Sequence, residues 1–188
     1  METGSIESRR DAKDNSPTIR DLSFSEILRV RSYRFFVVVR NPYSRVLSAF
    51  LNRFQIASCR LRNGNFELTP SGFSKFVYWL KDGGLSRDPH WDLQTNLLFM
   101  PLEKFDFVVR FENFKPDMLS FLTNVKISPP EQRLDGLYAT DTNKKTSADN
   151  RLQEFYTPQL AAIIADIYAM DFETLNYSTV FPTKFLRN

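Results

Sequence analysis

Two short, almost entirely apolar runs and several longer runs with helical spacing make up most of this chain. The run Tyr33–Val39 is dominated by β-branched and aromatic residues, which is typical of a strand buried on both faces in a parallel sheet. The run Phe105–Val109 predicts a second strand of the same kind. Because helical segments lie between and after these strands, the pattern favours an α/β fold with a central parallel sheet flanked by helices.

The predicted helices carry end signals. Asn41 is a suitable N-cap and Pro42 a suitable first residue for a helix over Tyr43–Phe54, whose apolar residues recur at helical spacing. Thr157 and Pro158 have the same roles at the start of the last helix. Further helices are predicted over Phe73–Lys81, where Asp82-Gly83-Gly84 stops the helix, over Leu93–Met100, and from Pro116 onward.

Polar and irregular segments set the predicted domain limits. Residues 1–21 are rich in Ser, Asp, Lys and Arg and are expected to form a disordered polar leader. Residues 22–188 then form a single domain, in keeping with a length of 188 residues. Cys59–Gly72 is predicted to be a loop, and Ser128–Asn150 is predicted to be an irregular segment over a site.

Composition narrows the functional classes. Hydrophobic residues make up 42% and charged residues 25% of the chain, as in soluble globular proteins. The net charge of +3 is too small for a dedicated nucleic-acid binder. One cysteine and one histidine exclude an internal disulfide and a His-rich metal centre. With 18 phenylalanines, the core is expected to be largely aromatic.

The segment Phe35–Phe50 carries the most informative chemistry. Arg40 ends a buried strand where a capped helix begins, and α/β proteins bind ligands in that crevice. The backbone N–H groups of a helix start suit a phosphate, and Arg45 and Ser48 are spaced to share one helix face. Two interpretations remain open for these residues: a phosphate clamp made of Arg40, Ser48 and Arg45, or an Arg40 that forms a surface ion pair.

His90 and Glu112 also have two interpretations each. A neutral His90 imidazole can take the proton from an acceptor hydroxyl and thus act as a catalytic base. Alternatively, His90 and Trp91 anchor a loop by hydrogen bonding and packing. Glu112 follows a predicted strand, a position that suits either a base or a structural carboxylate.

Other charged and aromatic residues are candidates of the same kind. Lys144, Lys145 and Arg151 either close over a phosphate or form a solvated charge run. The residues Phe73, Phe76, Tyr78 and Trp79 are expected to lie in the core, while Trp79 or Trp91 is an alternative platform for stacking a sugar.

Phe35–Phe50 resembles the 3′-phosphate-binding motif of sulfotransferases that use 3′-phosphoadenosine 5′-phosphosulfate (PAPS), in particular family 2, the carbohydrate-type branch. Three later stretches are similar to the same family in the same order: Asp88–Thr95, Phe105–Glu112 and Tyr156–Phe172. The resemblance implies a P-loop-NTPase-like sulfotransferase fold, with PAPS as donor co-substrate and no metal. It also implies that Arg40 and Ser48 hold the 3′-phosphate of the donor.

The resemblance implies transfer of a sulfuryl group to a hydroxyl or amine of a carbohydrate or small molecule. The family's Pro-Lys-x-Gly-Ser/Thr loop, which cradles the 5′-phosphosulfate, has no counterpart among the six glycines. The chain is therefore expected to be N-terminally incomplete or degenerate, inactive as it stands and poorly soluble. The alternative functions are a non-catalytic nucleotide- or glycan-binding remnant and an unrelated phosphate-binding protein.

The expected location follows from the lack of a predicted spanning segment. No apolar run is long enough to span a bilayer, and the polar N-terminus carries no secretory signal. Eukaryotic members of the family are typically Golgi enzymes with an N-terminal anchor. The cytoplasm is therefore the default prediction, and a Golgi membrane is expected only if an anchor precedes this chain.

Overall fold

The computed structural model describes residue 23 and residues 33–127 and 148–182. The chain divides into two compact units, Met1–Phe35 and Phe36–Asn188, and every strand and helix named below belongs to the second. The boundary predicted at residue 21 lies outside the described residues.

The two predicted strands are present and pair in parallel. Strand β1 (Phe36–Val39) and strand β2 (Phe107–Arg110) run side by side, with Phe36 opposite Phe107 and Val39 opposite Arg110. The described part of the chain is therefore a helix-rich α/β fold with a small parallel sheet, as predicted.

The prediction that β1 is buried on both faces was wrong. Phe36 and Val38 are 42% and 41% exposed, whereas Val39 is 1% exposed. Successive side chains of a strand point to opposite faces, and the face that carries Phe36 and Val38 is only partly covered. The ring of Phe121 packs against that of Phe36, with ring centroids 4.8 Å apart.

Eight α-helices accompany the strands in the described residues. They are α1 (Pro42–Arg53), α2 (Ala57–Asn63), α3 (Pro70–Trp79), α4 (Gln94–Leu97), α5 (Phe114–Asn124), α6 (Ala148–Phe155), α7 (Pro158–Ile167) and α8 (Ala169–Thr174). Tighter or wider helical turns cover Leu80–Gly84, Leu85–Arg87, Leu102–Lys104 and Phe111–Asn113. None of these helices is long and apolar enough to cross a membrane.

The predicted caps of two helices are confirmed. The Asn41 side chain accepts a hydrogen bond from the backbone N–H of Tyr43, and Pro42 is the first residue of α1. Thr157 caps α7 in the same way, with Pro158 as the first helical residue. Helix α5 begins at Phe114 instead of Pro116, since a helix tolerates proline within its first turn.

Three other predicted boundaries were wrong. Helix α2 begins just before the segment predicted as a loop and extends into it, and it buries one residue, Cys59, so its sequence shows no apolar stripe. Helix α4 covers only half of the predicted Leu93–Met100, because Leu98 is extended and Pro101 disfavours helical backbone at the residue before it. The residues Ala148–Asn150, predicted as irregular, form the first turn of α6.

The core consists largely of aromatic rings, as the phenylalanine content predicts. Its largest fully buried side chains include Phe50, Phe54, Phe73, Phe76, Phe155 and Trp91. Trp91 stacks on Phe54 at 5.7 Å between centroids, and its complete burial excludes it as a platform for a sugar. Tyr78 is 39% exposed and not in the core, because it lies on the outer face of α3.

Candidate anion-binding site

A surface depression of about 180 Å³ lies beside α1, beyond the end of β1. The described residues that line it are Arg40, Arg45, Ser48, Ala49, Asn52 and His90. Five of these six side chains can donate a hydrogen bond, and none of the six is a carboxylate. Two guanidinium groups and three further donors around one small space suit an anion.

Helix α1 supplies most of this lining from one face. Arg45, Ser48 and Asn52 follow one another at spacings of three and four residues, which brings their side chains to the same side of a helix. Arg40 reaches the depression from the end of β1, and His90 reaches it from the loop before α4. The structure thus brings together all four residues predicted for the site.

The backbone amides of the α1 start contribute less than the sequence predicted. Pro42 has no N–H, and the N–H of Tyr43 is already bonded to the Asn41 side chain at 3.0 Å. The helical residues that line the depression, Arg45 to Asn52, extend from the first turn of α1 to its last turn. An anion in the depression would therefore be held mainly by side chains.

Both interpretations of Arg40 have support in its contacts. Its Nη2 atom lies 2.7 Å from Asp149 Oδ2, so the predicted ion pair exists. Its Nε atom donates to Ser44 Oγ at 3.0 Å, and the guanidinium lies over the Phe111 ring at 4.3 Å from the centroid. These contacts fix the orientation of a side chain that also lines the depression.

The backbone of Arg40 is held by the side chain of Gln94. Gln94 Oε1 accepts from the Arg40 N–H at 2.9 Å, and Gln94 Nε2 donates to the Arg40 carbonyl at 2.8 Å. The buried carboxylate of Asp171 in turn accepts hydrogen bonds from the N–H groups of Gln94 and Thr95 at 2.8 and 2.9 Å. Helix α8 thus fixes α4, and α4 fixes the end of β1.

Gln94 and Asp171 were not singled out from the sequence. Neither residue belongs to a local pattern that points to a site, and they are 77 positions apart. Both nevertheless lie within stretches that carry the family resemblance, Asp88–Thr95 and Tyr156–Phe172. Their position in these two stretches was the signal by which the sequence could have identified them.

Arg45 ties the depression to the loop that carries His90. Its Nη1 donates to the Asp92 carbonyl at 2.5 Å and its Nη2 to the Pro89 carbonyl at 3.0 Å. Burial lowers the pKa of Arg45, although nearby acidic groups oppose the shift. Since both of these partners are neutral carbonyl oxygens, the contacts do not neutralise the positive charge that Arg45 brings to the site.

The side chain of His90 is exposed over half of its surface and is held by Asp88. Its Nδ1 lies 2.5 Å from Asp88 Oδ1, and its backbone N–H donates to the same oxygen at 3.0 Å. The other Asp88 oxygen is 3.5 Å from Arg53 Nη2. Burial alone would raise the pKa of Asp88, but the hydrogen bonds from His90 and the neighbouring positive charges hold it below its usual value.

Glu112, a candidate base, and Arg151, a candidate phosphate ligand, are both bonded to other residues of the fold. Glu112 accepts from the Asn41 N–H at 2.7 Å and from the Tyr177 hydroxyl at 2.8 Å, so each of its oxygens holds part of the fold. Arg151 pairs with both oxygens of Glu154 at 2.8 and 3.0 Å. Lys144 and Lys145 lie outside the described residues.

A second depression, of about 350 Å³, differs in chemistry. It is lined mainly by apolar side chains, with two threonines and one carboxylate: Thr95, Leu98, Phe99, Met100, Pro101, Leu102, Glu103 and Thr174. None of these lining residues is cationic, so the second depression does not suit a phosphate. Within residues 33–127 and 148–182, no three His, Cys, Asp or Glu side chains are grouped so as to hold a metal ion.

Comparison with known proteins identifies the class. The chain matches the sulfotransferase family over residues 4–178 and belongs to that family. It is a family 2, carbohydrate sulfotransferase-like protein, as the four sequence stretches predicted.

Curated relatives are carbohydrate sulfotransferases. The chain is 27% identical to carbohydrate sulfotransferase 8 of Homo sapiens over 81% of this chain and 41% of that protein. It is 25% identical to human carbohydrate sulfotransferase 9, over 81% of this chain and 39% of that protein. For carbohydrate sulfotransferase 11 of Rattus norvegicus the identity is 24%, over 87% and 53%. The chain thus spans about two-fifths to half of these relatives, and no solved structure matches it.

Proposed function

We propose that the depression beside α1 binds the 3′-phosphate of PAPS and that the protein transfers the sulfuryl group of PAPS to a carbohydrate hydroxyl. One observation carries the proposal: Arg40 and Ser48, which the resemblance assigns to the 3′-phosphate, and Arg45, which shares a helix face with Ser48, line one space with no carboxylate among its described lining residues. The family membership and the names of the relatives support the reaction class. The P-loop-NTPase-like form of the fold belongs to the same proposal.

In the proposed reaction, the acceptor oxygen forms a bond to sulfur while the bond between sulfur and the bridging oxygen of PAPS breaks. Adenosine 3′,5′-bisphosphate leaves with the electron pair, and the acceptor hydroxyl loses its proton. The residues of the depression orient the donor through its 3′-phosphate. Charge on the leaving oxygen develops at the other end of the nucleotide, where other positioned cations must meet it.

The first prediction tests the clamp. Arg40→Ala should weaken binding of adenosine 3′,5′-bisphosphate by about 1.5–3 kcal/mol. Ser48→Ala should weaken it by about 1 kcal/mol, because the serine hydroxyl is neutral and forms no ion pair with the phosphate. Isothermal titration calorimetry measures both. Arg62→Ala is the matched control, since it removes the same charge from an exposed residue of α2. Equal affinity for wild type and Arg40→Ala would exclude the clamp.

Asp149→Asn separates a loss of phosphate contact from a loss of structure. Asp149 competes with the phosphate for the Arg40 guanidinium, which it contacts at 2.7 Å. The variant should therefore bind adenosine 3′,5′-bisphosphate at least as tightly as wild type. If Arg40 only anchors α6, both Arg40→Ala and Asp149→Asn should lower the melting temperature and neither should change affinity.

A non-catalytic nucleotide- or glycan-binding protein is the second candidate. It shares the phosphate clamp and differs in turnover, so the two are separated by incubating the protein with radiolabelled PAPS and a panel of glycans. Sulfated glycan supports the transferase. Because the chain is expected to be inactive without a Pro-Lys-x-Gly-Ser/Thr loop, the same assay is repeated with a chain extended by a segment that carries this loop. Binding without turnover in the extended chain supports the second candidate. A cytoplasmic location stays a prediction.

A further inference from the structure

His90 both lines the depression beside α1 and contacts the carboxylate of Asp88. His90 is one of the residues that line the same 180 Å³ depression as Arg40 and Ser48. Its Nδ1 is held 2.5 Å from the Asp88 carboxylate, and the second ring nitrogen, Nε2, takes no part in that contact. The side chain of His90 is 50% exposed, against 10% for that of Asp88.

We infer that His90, in its protonated form, is a ligand of the donor's 3′-phosphate, and that donor binding is therefore coupled to the uptake of a proton by His90. The inference rests on the proposed function of the depression and goes beyond it. It assigns His90 to the binding of the nucleotide instead of to the catalytic base.

The size of the depression supports this assignment. If Arg40 and Ser48 hold the 3′-phosphate, the sulfur lies beyond the ribose and the 5′-phosphate. A side chain that lines the same small space as Arg40 and Ser48 is then beside the phosphate and remote from the reacting atoms. A base must be within hydrogen-bond reach of the acceptor hydroxyl, either directly or through one water, and this position does not meet that requirement.

The hydrogen-bond geometry explains why a proton is needed. With Nδ1–H donating to Asp88, a neutral imidazole has an unprotonated Nε2, which cannot donate to a phosphate oxygen. The imidazolium donates from both nitrogens, to Asp88 on one side and to the phosphate on the other. Binding therefore favours the protonated ring.

The charges around the His90 ring explain why phosphate binding and proton binding favour each other. The charged groups around the ring are Asp88 on its own loop, Arg45 and Arg53 on α1, and Arg40 beyond β1, whose partner Asp149 lies on α6. The arginines oppose a further positive charge, while Asp88 favours it. A phosphate dianion between the arginines and the ring reverses that opposition, so phosphate and proton promote each other's binding.

The second prediction uses the fact that the chain contains one histidine, so proton NMR gives a single imidazole C2–H resonance. Saturating adenosine 3′,5′-bisphosphate should raise the titration midpoint of that resonance by about one pH unit, which corresponds to a tenfold coupling. Adenosine 5′-phosphate, which lacks the 3′-phosphate, should leave the midpoint unchanged. A midpoint that adenosine 3′,5′-bisphosphate does not move would overturn the inference.

Calorimetry of His90→Gln completes the test. Wild type should take up protons on binding near pH 7, whereas His90→Gln, which keeps a neutral donor, should not. The phosphate itself, whose second pKa is near 6, releases a proton when cations bind it. Net uptake of protons on binding therefore comes from the histidine. His90→Gln should also lose about tenfold in affinity at pH 6 relative to wild type, and less at pH 8.

Three outcomes distinguish a failure of this inference from a failure of the proposed function. If wild type binds adenosine 3′,5′-bisphosphate through Arg40 but His90→Gln shows the same affinity and the same proton linkage, the inference fails and the phosphate clamp stands. If His90→Gln also abolishes sulfuryl transfer without changing affinity, His90 is the catalytic base. If wild type does not distinguish adenosine 3′,5′-bisphosphate from adenosine 5′-phosphate, the proposed function fails together with the inference.

Discussion

Two buried tyrosines join distant parts of the fold through single hydroxyl groups. Tyr156 donates to the Tyr43 carbonyl at 2.9 Å, 113 positions away in the chain. Tyr168 donates to the carbonyl of Trp91 and so ties α7 to the loop that carries His90. Burial raises the pKa of both hydroxyls, since an ionised phenolate would lie in an apolar core.

The third prediction is a loss of stability in alkaline solution. The folded-state pKa of Tyr156 and Tyr168 lies above the unfolded value of about 10, so the stabilisation is complete below pH 10. As the pH rises above 10, the unfolded chain releases protons that the folded chain retains. Stability should then fall by about 1.4 kcal/mol per pH unit for each tyrosine, and urea denaturation between pH 8 and 11 measures the slope.

Substitution identifies the groups responsible for that slope. Tyr168→Phe should remove the part of the slope that Tyr168 contributes. It should also cost about 1–3 kcal/mol at neutral pH, because the Trp91 carbonyl loses its donor. Tyr78→Phe, at an exposed tyrosine, is the matched control. An unchanged slope in Tyr168→Phe would contradict the assignment.

Among the secondary-structure elements, the short helix α4 depends on helix α8 for its position. A helix of four residues is too short to be stable by its own hydrogen bonds. The carboxylate of Asp171 holds its N-terminal end through Gln94 and Thr95, including a 2.9 Å bond from the Thr95 hydroxyl. Because Gln94 also holds both backbone groups of Arg40, Asp171 positions the end of β1 through α4.

The fourth prediction concerns Asp171→Asn. The new amide group keeps one acceptor oxygen and turns an N–H group toward the N–H donors of α4. The variant should lose about 1.5–3 kcal/mol of unfolding free energy, the range for hydrogen bonds to a charged group. Thermal or urea denaturation measures the loss. Glu173→Gln, at an exposed residue of the same helix, should be close to neutral, and equal effects of the two variants would contradict the role of Asp171.

For the whole molecule, stability depends on the aromatic core more than on the sheet. The sheet described has two strands of four residues each, and one face of β1 is partly exposed. Phe50, by contrast, is fully buried and its ring packs against the rings of Phe54, Phe73, Phe76 and Phe155, with centroids 5.3 to 6.3 Å apart. Phe50 belongs to α1, and Phe54 directly follows α1. Phe73 and Phe76 belong to α3 and Phe155 to α6, so Phe50 connects three helices.

The fifth prediction is that Phe50→Ala destabilises the whole domain. Removing the ring should cost about 3–5 kcal/mol, through lost burial and a cavity between helices that cannot close together completely. Leu61→Ala removes an apolar side chain that is 88% exposed and should change stability by less than about 0.5 kcal/mol. Urea midpoints of the two variants measure the difference, and similar midpoints would contradict the role of Phe50.

The sequence alone determined the features that depend on neighbouring residues. The caps at Asn41 and Thr157 are local hydrogen bonds, so the residue types in order were enough to predict them. The strands and the apolar stripe of α1 follow from periodicity. The convergence of Arg40, Arg45 and Ser48 could be predicted because a strand end and the helix that follows it are adjacent in the chain.

Features that depend on contacts between distant residues became apparent only in the folded structure. Helix α2 has no apolar stripe, and α4 is held by a carboxylate 77 positions away. Arg40 meets Asp149 across 109 positions, and His90 reaches the depression because Arg45 holds its loop by backbone carbonyls. Backbone carbonyls are the same in every residue type, so no sequence pattern marks such a contact. The placement of His90 beside Arg40, Arg45 and Ser48 became visible only in the fold.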